Sequence, residues 1–65
     1  MTGLKSPTGL AVRGDDLYIT DMGLDAVMQA DLSAKEPAVS KVIEGLHNPL
    51  DLIFRGSVLY VCDHL

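Results

Sequence analysis

The sequence has no tryptophan and only three aromatic side chains, Tyr18, Phe54 and Tyr60, so any core must be built from aliphatic residues. Cysteine occurs once, at Cys62. A single cysteine excludes an internal disulfide and any multi-cysteine metal site, and it leaves the redox compartment open. Lying within an apolar strand, Cys62 reads as a buried, inert thiol. Basic residues are scarce as well: five Lys and Arg stand against nine Asp and Glu, for a net charge of -4. Without a basic patch to neutralise phosphates, the expectation is no nucleic acid and no anionic membrane as partner. No apolar run approaches the roughly 20 residues that span a bilayer, and Met1 is not followed by a basic region and an apolar signal core. The chain is therefore expected to be soluble, and extracellular if its parent protein is secreted. Missing too are a GxSxG elbow, a P-loop and an HExxH pair, and the run Asp21, Gly23, Asp25 lacks the spacing and closing Glu of an EF-hand.

What is present is a repeat. Residues 3–22, GLKSPTGLAVRGDDLYITDM, recur as residues 45–64, GLHNPLDLIFRGSVLYVCDH, at a constant offset of 42 without a gap. Nine of the twenty aligned pairs are identical, where unrelated stretches would share about one or two. The matched pairs are Gly3/Gly45, Leu4/Leu46, Pro7/Pro49, Leu10/Leu52, Arg13/Arg55, Gly14/Gly56, Leu17/Leu59, Tyr18/Tyr60 and Asp21/Asp63. A period of this length belongs to propellers and related arrays. With 65 residues and 48% apolar content, the chain has globular composition but is short for an independent core.

Local patterns divide each period into short strands. Gly9 to Arg13 is apolar; RGDD (Arg13 to Asp16) is a hairpin connection in which Gly14 supplies a positive φ; Leu17 to Thr20 is rich in β-branched and aromatic residues. Ala26 to Leu32 contains Ala, Met, Gln and Leu that would also suit a helix, but about seven residues between turn signals favour a third strand. Val39 to Glu44 makes a fourth, outer strand, partly wet on one face. The fold class expected is all-β: residues 1–44 form an antiparallel four-stranded unit and residues 45–65 the first two strands of a second. Both inner strands are apolar at consecutive positions (Leu10, Ala11, Val12; Leu52, Ile53, Phe54), as in a sheet packed on both faces.

Taken together, PTGLAVRGDDLYITD, AVMQADLS, VSKVIEGL and NPLDLIFRGSVLYVCD resemble the NHL-like six-bladed β-propellers, the superfamily that includes the gluconolactonase and luciferin-regenerating-enzyme family. The resemblance covers nearly the whole chain and lies in scaffold features. It implies a four-stranded blade followed by the first half of another, about one and a half blades of a ring needing about 250 residues at this period. The remaining blades would come from the rest of a longer chain, the favoured expectation, or from other copies.

In an antiparallel meander the loop between the second and third strands and the loop entering each first strand emerge at one end. Lys5, Ser6, Asp21, Asp25, His47, Asn48, Asp51, Asp63 and His64 are the polar groups there. The resemblance implies that ligands and divalent metals bind at that end, with calcium as the cofactor admitted in an intact propeller; none is evident in the chain itself. Asp21 and Asp63 are weak metal candidates, because carboxylates are hard ligands, although an Asp at a strand end beside Gly more commonly accepts backbone hydrogen bonds in the turn. His47 and Asn48 replace Lys5 and Ser6, so the scaffold does not require them; with Asp51 they are the ligand-binding candidates. No catalytic residue is assigned. RGD at Arg13 to Asp15 is matched by Arg55, Gly56 and Ser57, which favours turn chemistry over adhesion. The expected function is a scaffold or binding module presenting loops to a protein, glycan or small ligand. The alternative is a piece of a calcium-dependent lactonase or hydrolase of the gluconolactonase-like kind.

Overall fold

A computed structural model describes residues 3–63. Its strands are β1 (Pro7–Arg13), β2 (Asp16–Asp21), β3 (Ala26–Asp31), β4 (Val39–Ile43), β5 (Pro49–Arg55) and β6 (Val58–Asp63), and no helix occurs among the described residues. Four form one antiparallel sheet in the order β1-β2-β3-β4, and β5 and β6 form a second, two-stranded sheet. The chain is all-β, as its patterns indicate, and the ambiguous Ala26 segment is a strand whose residues Ala26, Val27 and Met28 are all buried. A segment buried on both faces loses the alternation that would have marked it as a strand.

The two hairpins are copies in register as well as in sequence. β1 pairs with β2 through Pro7↔Asp21, then Gly9↔Thr20 and onward to Arg13↔Asp16. β5 pairs with β6 through Pro49↔Asp63, then Asp51↔Cys62 and onward to Arg55↔Val58. Both carry a bulge at the same place, opposite the end of the second strand. That bulge carries each first strand back to its proline, two residues earlier than the expected start at Gly9. Each hairpin turns on a glycine with positive φ, Gly14 at 61° and Gly56 at 62°, the backbone state a two-residue connection demands.

The four-stranded sheet buries one face locally. Ile19, Ala26 and Met28 form its core, covered by Leu4, Leu17, Leu24 and Val39. Full burial of a side chain the size of Ile19 or Val27 stabilises by about 2 kcal/mol. The opposite face receives β5, which packs against β1 and β2. Leu52 and Pro49 are buried in this contact, and Tyr18 meets Phe54 edge to face at 5.0 Å between ring centroids. The Arg13 guanidinium lies 5.9 Å from the centre of the Phe54 ring, and the Thr8 hydroxyl donates to the Pro49 carbonyl at 2.9 Å.

One expectation is corrected. Cys62 is exposed rather than buried, because β6 alternates in and out and Cys62 shares the outward side with Val58 and Tyr60. The inner strands, apolar on both faces, are each covered on only one within the described residues: Leu10 and Val12 on β1 and Ile53 on β5 are exposed.

Candidate functional site

The loops leading into β1 and β5, and the loop 22–25 that follows β2, gather at one end of the two sheets, and two carboxylates organise them. Asp21 closes β2 at a fully buried position. Its Oδ2 accepts from the Lys5 N–H at 2.7 Å, and its Oδ1 accepts from the N–H groups of Ser6 at 2.8 Å, Gly23 at 3.0 Å and Leu24 at 3.2 Å. One side chain thus ties the loop entering β1 to the loop leaving β2. Burial works to raise the Asp21 carboxyl, but the N–H groups of Lys5, Ser6, Leu24 and Gly23 outweigh it and hold the pKa below the ordinary value of 3.8.

Asp63 repeats the arrangement. Its Oδ1 accepts from His47 N–H at 3.0 Å and from Asn48 N–H at 2.8 Å. The loops of the two units are also joined directly, since the Leu46 N–H donates to the Asp25 carbonyl at 3.0 Å. Asp25 itself has a left-handed φ of 52°.

Each candidate residue therefore has a definite place. Asp21 and Asp63 act as loop clamps, with carboxylate oxygens directed at backbone N–H groups. His47 and Asn48 are brought together by Asp63 through their backbones; the His47 side chain is exposed and that of Asn48 half-buried. Asp51 is engaged elsewhere. It sits at the bulge of β5, its Oδ1 accepts from the Leu52 N–H at 2.8 Å, and that oxygen lies 2.8 Å from where a Cβ on Gly9 would stand. His64 lies outside the described residues. Among the described residues no group of three or more His, Cys, Asp or Glu side chains converges in a way that could hold a metal ion.

The sequence reading overlooked the seam between the units. The Thr8 and Thr20 hydroxyls stand 3.0 Å apart beneath the contact with Pro49. The signal was a difference between the copies: Thr8 and Thr20 become Leu50 and Cys62, a polar pair in the covered unit and an apolar pair in the uncovered one.

No family model, curated protein or solved structure matches this chain. Its functional reading rests on its own repeat and on the geometry that the repeat builds.

Proposed function

We propose that the chain is part of a β-propeller scaffold, one four-stranded blade and the first half of the next, that presents its loop end to a protein, glycan or small ligand. The reading is supported by a 42-residue period reproduced in strand register and bulge, by the meander order of the first sheet, and by face-to-face packing of the second unit on the first. The observation that carries the binding role is the Asp63 clamp. It grips His47 and Asn48 by their N–H groups, fixing the loop while their side chains remain available for recognition, and these are positions where the two copies differ.

An amide-resolved NMR titration of the chain with a panel of short peptides, oligosaccharides and lactones tests this. Shifts centred on His47 and Asn48 are expected for at least one probe, and the double substitution His47→Ala, Asn48→Ala should abolish them without altering the fold. Shifts centred instead on the Gly14 and Gly56 hairpin tips, at the opposite end, would sink the proposal.

A further inference from the structure

The contact between the two units is head to tail. The first sheet offers the side that carries Ala11, Tyr18 and Thr20, which share a face through the pairings Ala11↔Tyr18 and Gly9↔Thr20. The second sheet offers its other side, with Leu52 and Phe54. Because the units are copies, each surface exists a second time. The equivalents of Leu52 and Phe54 are Leu10 and Val12, which are 65% and 59% exposed. The equivalents of Ala11, Tyr18 and Thr20 are Ile53, Tyr60 and Cys62; Ile53 is 66% and Tyr60 53% exposed, and all three line an open hollow of about 330 Å³. The strands that make the internal contact, β1 and β2 on one side and β5 on the other, all have counterparts for a second such contact: β5 and β6 on one side and β1 on the other.

We infer that these two open faces dock on one another between copies of this chain, the Ile53/Tyr60 face of one copy receiving the Leu10/Val12 face of the next. This proposal goes beyond the loop-end reading and does not depend on it. Two substitutions within the repeat point to a second copy as the occupant. At the internal seam the small Ala11 beside Tyr18 accommodates the large Phe54; at the open face the larger Ile53 beside Tyr60 would meet the smaller Val12, so the sizes are exchanged and the summed volume changes by only about one methylene. Asp51 approaches Gly9 so closely that its Oδ1 lies 2.8 Å and its Cα 3.1 Å from a Cβ placed there. In the intermolecular contact the roles are exchanged: Asp51 takes the position of Gly9 and the incoming copy supplies Gly9 in place of Asp51. An incoming Asp would collide and repel, whereas Gly removes the carboxylate and leaves a backbone contact that a shift of a few tenths of an ångström relieves. Leu50 stands where Thr8 donates to the Pro49 carbonyl, and Cys62 where Thr20 backs Thr8, so the contact with the exposed Pro7 of the second copy lacks that hydrogen bond and is expected to be weaker than the internal seam.

A head-to-tail contact has unlike halves, which gives it a specific test. Sedimentation of the full chain at increasing concentration should show mass rising above that of one chain. Leu10→Lys with Val12→Lys removes one half, and Ile53→Lys with Tyr60→Lys removes the other. Each variant alone should remain a monomer, and their equimolar mixture should reach twice the mass of one chain and stop there. A wild-type chain that stays monomeric throughout, or a single variant that still pairs with itself, overturns the proposal. Should the variants lose their circular-dichroism signature of strands, the wild-type chain decides the matter alone. In a sample of half-labelled chains, NMR contacts between the Tyr60 ring and the Val12 methyls of different copies are expected, and their absence from an associated sample refutes the docking mode.

Discussion

Asp21 and Asp63 play the same part 42 residues apart: Asp21 accepts from the N–H groups of Lys5 and Ser6, and Asp63 from those of His47 and Asn48, at distances of 2.7 to 3.2 Å. The identity of this pair across the repeat follows from geometry. Each first strand is entered through a proline preceded by two N–H groups that no strand partner satisfies, and a carboxylate at the end of the second strand is the side chain that reaches both.

Asp21→Asn should therefore cost about 3 kcal/mol in urea denaturation, the order expected when charge-assisted bonds are weakened and a buried N–H loses its partner. The amide keeps the shape but presents one acceptor oxygen to four donors. Asp63→Asn, nearer the open side of the molecule, should cost less. Equal, negligible losses in both would mean that water satisfies these loops as well as the carboxylates do.

The pH dependence has a definite sign. Since Asp21 titrates below 3.8 in the folded chain, its contribution to stability is fully present above the unfolded value and is lost as pH falls through the folded one. Acid titration of the wild type should show that loss below about pH 4, and Asp21→Asn should lack the corresponding part of the slope. An unchanged slope in the variant would assign the acid sensitivity to other carboxylates.

Gly14 and Gly56 are held at φ 61° and 62°, with open space where a Cβ would be. Alanine at either position would meet no neighbour, so the cost is conformational, about 1 kcal/mol for placing an L side chain in the left-handed region. Asn should recover part of it. Because Gly14 belongs to a hairpin backed by β3 and Gly56 to one that has no third strand among the described residues, Gly56→Ala is expected to loosen β5 and β6 first, seen as faster amide exchange there.

Tyr18 and Phe54 form the aromatic contact of the seam, and a double-mutant cycle to Leu at both should return a coupling of about 1 kcal/mol. Phe54→Leu alone should also weaken any effect of Arg13→Ala, since the guanidinium of Arg13 faces the same ring. A coupling indistinguishable from zero would show that the second sheet is held by Leu52 and Pro49 rather than by the rings.

Much of this molecule was legible from the repeat. An offset of 42 with matched glycines, prolines and aspartates determined that two hairpins of one design must exist, with turns at Gly14 and Gly56 and strand ends at Asp21 and Asp63, because those residues meet backbone requirements that are local and therefore readable along the chain. Ala26 to Asp31 was harder, since burial on both faces erases the period that separates strand from helix. The exposure of Cys62 could not be read at all: it depends on which side of the second hairpin turns toward the first sheet, and both sides of β5 are apolar. Only the tertiary structure decided that Leu52 and Phe54 face inward while Ile53, Tyr60 and Cys62 face out. It likewise decided that Asp51, close to the loop end of β5, also meets Gly9 across the seam, a contact between residues 42 apart that no local pattern encodes.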